Sequence, residues 1–311
     1  MKTTTITHTI SDKLRSIEPL IGNTPAIPVK NFQLPDNSGV FVKAEWMQLG
    51  GSVKARPALQ IIKSALNKGQ LNDQKTLLDA SSGNTAIAYA IICARLKLNC
   101  TICIPENAST ERKSMLKAFG AELVFTPAEE STEGATEKAK HIKSEDSERY
   151  FFADQYANPA NTLAHETTTG PEIYRESGEK ITHFVAGLGT TGTLTGTARF
   201  LKSVTPNIQI VGVQPDSPLH ILEGWKNLKY DKVPEIYDES YVDRVVTVNS
   251  EEVLELIPEI AAKEGLLLSP SAAANFKAAL KVAKEEEDRN VFTVFPDDYS
   301  KYGEVLKEVF N

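Results

Sequence analysis

Short apolar runs alternate along most of this chain with longer stretches whose apolar residues recur at helical spacing. TLLDAS, CTICIPE and AELVFTP read as strands, and TAIAYAIICARLKL and ERKSMLKAFG as the helices between them. A second series follows, with ITHFVAG, IQIVGVQ, RVVTV and NVFTVFP as strands and TLTGTARFLK, SEEVLELIPEIAAKEG and AAANFKAALKVAKEEE as helices. Ahead of both, SIEPLIGNTPAIPVK and GVFVKAEW read as extended segments, and PALQIIKSALNKG as a helix stopped by glycine. The polar stretch AEESTEGATEKAKHIKSEDSERY predicts a solvated helix and a surface loop. Ser250 is placed to cap its helix, with Glu251 and Glu252 at the positive end. This alternation predicts an α/β protein of two open-sheet lobes with helices on both faces. The boundary falls near residues 145–160, and the cleft between the lobes is the expected place for a small molecule.

Composition narrows the choice of partner. With 311 residues, 41% of them hydrophobic and 24% charged, the chain can bury a full core. A net charge of −7 and the lack of any block of Lys and Arg argue against a nucleic-acid partner. No apolar run reaches membrane-spanning length, and MKTTTITHTISDKLRS has no apolar core, so a cytoplasmic protein without a membrane partner is expected. Cys93, Cys100 and Cys103 are odd in number, which does not suit a disulfide framework; Cys100 and Cys103 form a C-x-x-C inside a strand-like run and read as buried thiols. The histidines His8, His141, His165, His183 and His220 lack metal-ligand spacing, so no metal is expected. His165 and Glu166, before TTTGPEI, read as a structural helix entry, and Asp297 and Asp298 as capping or surface residues whose side chains point to opposite faces.

Candidate chemistry lies in three loops. GLGTTGT follows an apolar strand and opens a helix, where successive N–H groups can hold a phosphate. Gly187, Gly189 and Gly192 also satisfy G-x-G-x-x-G, with Asp216 at a separation that suits a dinucleotide site, so the loop alone leaves NAD open. Its threonines, Thr190, Thr191, Thr193, Thr195 and Thr197, suit a compact phosphate monoester better than a pyrophosphate. Lys54 follows two glycines and a serine at the mouth of a helix, and SSGNTAIAYA sets small hydroxyl residues at the mouth of another, where N–H groups can take a carboxylate. Two anion sites and a lysine suggest an amino acid bound beside a phosphate-bearing cofactor.

GGSVKARPA, SSGNTAIA, DQYANPANTLAHETTTGPEIY, GLGTTGTLTGTARFL and EGLLLSPSAAA occur in this order between IGNTP and about residue 300. Together they resemble the cysteine synthase and cystathionine β-synthase family of fold-type II pyridoxal-phosphate enzymes, and the GTTGT form is similar to the B-type cysteine synthases. The resemblance implies a fold like that of the tryptophan synthase β-subunit. A smaller lobe would span residues 48–158, and a larger one, residues 13–47 plus 159–311, would carry the phosphate loop. It implies pyridoxal 5'-phosphate as cofactor, with Lys54 as the Schiff-base lysine and Asn84 at the ring hydroxyl. Gly189, Thr190, Thr191, Gly192 and Thr193 would form the phosphate cup, and Ser271 would meet the pyridine nitrogen. Ser81, Ser82 and Thr85, with Gln155, would hold the substrate carboxylate, and Lys226 stands where a basic residue would meet a phosphorylated leaving group.

The implied activity is replacement of the β-substituent of O-acetylserine or O-phosphoserine by sulfide or a related thiol, through an enzyme-bound aminoacrylate, with Lys54 as base and a homodimer as the assembly. A β-elimination lyase and a cofactor-binding regulator of low activity remain as alternatives. The chain departs from the family pattern at Ala55, where aspartate is usual, at Ala272 and Ala273, where serine and glycine are usual, and in PDDYSKY, which lacks a glycine.

Overall fold

The computed structural model describes residues 9–218 and 220–310. In chain order its strands are β1 (Ala26–Pro28), β2 (Gly39–Ala44), β3 (Thr76–Ala80), β4 (Asn99–Pro105), β5 (Glu122–Thr126), β6 (Tyr150–Phe152), β7 (His183–Gly187), β8 (Gln209–Pro215), β9 (Arg244–Val248) and β10 (Asn290–Phe295). The helices are α1 (Ile10–Ile17), α2 (Ala55–Asn67), α3 (Asn84–Leu96), α4 (Thr110–Ala118), α5 (Ser131–Glu145), α6 (Pro159–Ala164), α7 (Gly170–Glu176), α8 (Gly192–Val204), α9 (Ser250–Glu264), α10 (Pro270–Ala283) and α11 (Gly303–Phe310). They form two units, one from the described part of Met1–Ile21 with Ile61–Asp154, the other from Gly22–Gln60 with Gln155–Asn311 as far as it is described.

The first unit is a parallel sheet of order β5-β4-β3-β6. Every residue of β3 is buried, as expected of a strand covered on both faces. α3 carries apolar residues all round and is correspondingly enclosed, with Ile87, Tyr89, Ile92 and Leu96 buried. On α5, Ala135 and Ala139 pack with Leu78, Ala80 and Cys103. Cys93, Cys100 and Cys103 are free and buried. Burial pushes the Cys103 thiol up to about 11. A hydrogen bond with Cys93, together with burial, holds Cys100 well above the usual thiol range, so Cys100 and Cys103 stay protonated and act as core.

The second unit is a six-stranded sheet of order β1-β2-β10-β7-β8-β9, parallel except for β1. Side-chain alternation sends Val185 and Val211 to the face covered by α9 and α10, with Val253, Ile257 and Phe276. Phe184, Ala186 and Ile210 go to the opposite face, against Leu194, Ala198 and Leu201 of α8. The loop at the carboxyl end of β7 therefore leads straight into the glycine-threonine segment that opens α8.

Several local expectations change. SIEPLIGNTPAIPVK is extended only briefly as β1, and α1 begins before it, with Thr9 and Asp12 forming a reciprocal capping box. Asn249, not Ser250, caps α9, because its carboxamide oxygen accepts from the N–H groups of Glu251 and Glu252. The units also differ in extent from lobes of 48–158 and 13–47 plus 159–311. Residues 48–60 belong with the six-stranded sheet, since Val53 N–H donates to Pro296 O at 2.7 Å and Ser52 bridges to Asp297. Residues before Gly22 join the other unit, where α1 packs on α3. His8 lies outside the described residues. Among the described residues, no helix is long and apolar enough to cross a membrane.

Candidate functional site

Lys54 sits at the entrance of α2, its carbonyl accepting from Ala58 N–H at 3.1 Å. The turn before it runs through Gly50 and Gly51, both at positive φ, and Lys301 Nζ donates to both of their carbonyls. Lys54 is partly exposed, and no hydrogen bond or ion pair holds its ammonium among the described residues. Burial lowers its pKa below the usual lysine value, with Asp297 and Glu45 opposing the shift. A lysine in this state has a larger neutral fraction, which is what imine formation and proton transfer require.

Two residues on, Arg56 is 2% exposed and fully paired. Its guanidinium forms two-point contacts with Glu45, at 2.7 and 2.8 Å, and with Glu172, at 2.7 Å twice. It also donates to Thr24 Oγ1 and Thr168 Oγ1. Lys43, wholly buried, joins Glu172 at 2.9 Å and Glu176 at 2.8 Å. Burial works against the Arg56 charge, but Glu45 and Glu172 outweigh it and raise its pKa. Burial would likewise raise Glu172, yet the hydrogen bonds and charges of Arg56 and Lys43 hold that carboxyl at about 2. This network fixes the first turn of α2, and hence Lys54, to β2 and α7.

The glycine-threonine loop follows β7. Thr191 takes a left-handed conformation, φ +67°, as the N-cap of α8 without a side-chain cap of its own. Among the described residues, no acceptor meets the N–H of Gly189, Thr190 or Thr191. A Cβ at Gly192 would stand 2.0 Å from Asn161 Oδ1, so only glycine lets the loop close on α6. The five threonines divide. Thr191 spends its proton on Thr190 O, while Thr195 and Thr197 are wholly buried in α8 with hydroxyls lacking partners. Only Thr190 and Thr193 are left with hydroxyls for an anion, so the expectation drawn from all five shrinks to two hydroxyls and the loop amides. Asp216, the residue that would serve a dinucleotide ribose, instead accepts from Asn249 Nδ2 at 3.0 Å.

Ser271 lies in the first turn of α10, 7% exposed, with no hydrogen bond to its hydroxyl among the described residues. Ser269 caps that turn and also donates to Asp297 Oδ1, while Tyr302 OH donates to Asp297 Oδ2 at 2.7 Å. Asp297 is thus 1% exposed and internal, whereas Asp298 caps the turn at Ser300. The expected surface or capping role holds for Asp298 alone. Ala272 and Ala273 are wholly buried, as is Ala55.

Lys226 is tied by its backbone N–H to Leu188 O at 2.7 Å, next to the glycine-threonine loop, and its ammonium lies 5.6 Å from the centre of the Tyr156 ring. Gln155 is buried, and its carbonyl accepts from Asn161 Nδ2. In the first unit, Ser81, Ser82, Asn84 and Thr85 surround the start of α3. Ser81 Oγ accepts from Gly83 N–H at 3.2 Å, and Gly83, as N-cap, brings no side-chain oxygen to the helix end.

A phosphate fits the open amides of the loop and the Thr190 and Thr193 hydroxyls, and a carbonyl-bearing heterocycle fits Lys54 and Ser271, neither side chain being hydrogen-bonded among the described residues. Arg56, Glu45 and Glu172 were not singled out from the sequence.

The family described as pyridoxal-phosphate dependent enzyme matches residues 17–297. The cysteine synthase of Aquifex aeolicus is 41% identical, covering 91% of this chain and 89% of its own. Cysteine synthase B of Escherichia coli is 35% identical over 93% and 94%. The crystal structure of O-acetylserine dependent cystathionine beta-synthase from Helicobacter pylori superposes with a TM-score of 0.86 at 33% identity, covering 96% of this chain and 97% of that one. The chain belongs to the pyridoxal-phosphate-dependent enzymes of fold type II, within the cysteine synthase group.

Proposed function

We propose that this enzyme makes L-cysteine from an activated L-serine and sulfide, with Lys54 as the residue that holds pyridoxal phosphate and moves the substrate's Cα proton. The observation that carries this reading is the state of Lys54, a lysine at a helix mouth with no ion pair among the described residues and a lowered pKa. When bound, the cofactor supplies an electron sink for the bond breaking at Cα. Lys54 in its neutral form takes the Cα proton, the acetate or phosphate leaves from Cβ, sulfide bonds to Cβ, and Lys54 returns the proton to Cα.

The remaining roles follow from local chemistry. The amides of Gly189–Thr193 and the Thr190 and Thr193 hydroxyls would hold the cofactor phosphate, and Ser271 would meet the ring nitrogen. A serine there leaves that nitrogen largely unprotonated, which favours loss of a β-substituent over transamination. Asn84 we assign to the ring hydroxyl, and Ser81, Ser82, Thr85 and Gln155 to the substrate carboxylate. Lys226 we assign to the leaving group, where an ammonium attracts a phosphate without the two-point geometry of arginine. We also take the enzyme to work as a cytoplasmic homodimer.

The test is to supply O-acetylserine or O-phosphoserine, with and without sulfide, and to follow cysteine, pyruvate and the leaving group. Cysteine formed in step with the leaving group supports the proposal. Pyruvate as the main product, even with sulfide present, refutes it in favour of elimination.

A further inference from the structure

α6 and α7 are joined by a π-helical turn, His165–Thr169, so that Pro159–Glu176 forms one continuous but locally widened helix. Its side chains reach two ways. Thr168 and Glu172 accept from Arg56, two residues from Lys54. Asn161 and His165, four residues apart and on one face, reach the hydroxyls of Thr190 and Thr193 in the loop.

The hydrogen-bond direction at Asn161 can be assigned. Its Nδ2 meets Gln155 O at 2.8 Å and Thr190 Oγ1 at 3.1 Å. A carbonyl oxygen can only accept, so the amide nitrogen must face both groups, and Thr190 Oγ1 accepts. Gly192 N–H points at the same oxygen, 3.4 Å away. The one proton of Thr190 is therefore left for an acceptor outside the loop.

His165 stands in the same relation to Thr193. Its Nε2 is 3.2 Å from Thr193 Oγ1, and its Nδ1 is 2.9 Å from Thr169 Oγ1. The ring is 1% exposed, and burial, with Arg56 and Lys54 adding to it, lowers its pKa well below the usual histidine value. A neutral ring has one N–H, and the two tautomers have opposite consequences. With the proton on Nδ1, Nε2 would take the Thr193 proton and turn that hydroxyl away from an anion. With it on Nε2, Thr169 donates to Nδ1, the ring donates to Thr193, and the Thr193 proton is free.

We propose that Asn161 and His165 are positioning residues that donate to the Thr190 and Thr193 hydroxyls, His165 as the Nε2–H tautomer, so that both hydroxyls turn their protons toward a bound phosphate dianion. This rests on the reading of Gly189–Thr193 as the phosphate cup. It makes the loop a surface of donors only, which an acceptor-only dianion matches and a protonated or neutral group does not.

The experiment uses purified holoenzyme, wild type and His165→Gln, His165→Phe, Thr193→Ser and Thr193→Val. Glutamine keeps an N–H at the place of Nε2, and phenylalanine keeps the ring without it. The readouts are retention of pyridoxal phosphate against pyridoxal, by visible absorbance, the phosphorus NMR shift of bound cofactor, and the ring-nitrogen shifts of His165. The expected result is a proton on Nε2 in the wild type. His165→Phe and Thr193→Val should each weaken retention of the phosphorylated cofactor about tenfold to a hundredfold, and the double variant no more than either alone. Pyridoxal retention should not change, and His165→Gln and Thr193→Ser should stay within about threefold of wild type. A proton on Nδ1, or equal weakening for pyridoxal and its phosphate in His165→Phe, would overturn the proposal. A phosphorus resonance and phosphate preference that ignore Thr193→Val and the His165 variants alike would instead remove the phosphate-cup reading beneath it.

Discussion

Lys54 and Arg56 are two residues apart, both cationic side chains at the start of one helix, and their surroundings drive them in opposite directions. Arg56 meets two carboxylates in two-point geometry and keeps its charge, and Glu172 beside it is held ionised, at about 2. Lys54 makes no hydrogen bond or ion pair among the described residues, and burial lowers its pKa against the pull of Asp297 and Glu45. Lysine suits the second situation because its ammonium can deprotonate, and arginine suits the first because its fork cannot. Arg56 is thus a structural cation that holds the start of α2, and Lys54 is the one to which the proposed function gives the chemistry.

The largest expected effect comes from Lys54→Ala, which should lower turnover by roughly four orders of magnitude or more, since both cofactor attachment and the proton shuttle go. Its denaturation midpoint without cofactor should match or exceed wild type, because an unpaired, desolvated cation has been removed. Turnover within tenfold of wild type would erase the distinction between the two residues. Arg56→Met should do the reverse at the level of folding. It leaves Glu45 and Glu172 buried with fewer partners, and urea unfolding should show a loss of about 3–5 kcal/mol. A loss below about 1 kcal/mol would make the network incidental.

Acid should reveal the same network. The Glu172 carboxyl has a folded-state pKa of about 2 against an ordinary value of 4.5, so its contribution is present above the ordinary value and is lost as pH falls toward the folded one. Wild-type stability should drop by about 3 kcal/mol across that window from this group, and Glu172→Gln should flatten the drop. An unchanged slope would show that Arg56 does not hold this carboxylate charged. The smallest effect concerns Lys226. Lys226→Ala should lower kcat/KM for O-phosphoserine by about fivefold to a hundredfold while sparing O-acetylserine. Equal losses for both donors, or none, would leave the lysine to its contact with Tyr156.

Much of this was legible in the sequence because it is local. Nearly every strand and helix of the α/β alternation follows from apolar spacing over a few residues, and Lys54, the glycine-threonine loop and the serine-asparagine loop each announce themselves as small residues at a helix mouth. The Arg56 network was not legible, since Glu45 lies 11 positions before Arg56 and Glu172 lies 116 after it. His165 read as merely structural for the same reason, because Thr193 is 28 residues away and reached through a π turn that no periodicity marks. The threonine run misled in the other direction. Spacing put five hydroxyls near the loop, and only the helix of α8 turned Thr195 and Thr197 into the core.

The most direct test of Lys54 as the cofactor lysine is borohydride reduction of the yellow holoenzyme followed by peptide mass mapping. The reduced cofactor should be found on the peptide that contains Lys54 and on no other, at close to one per chain. A label on Lys226 or elsewhere, or a protein that retains no pyridoxal phosphate to reduce, would contradict it.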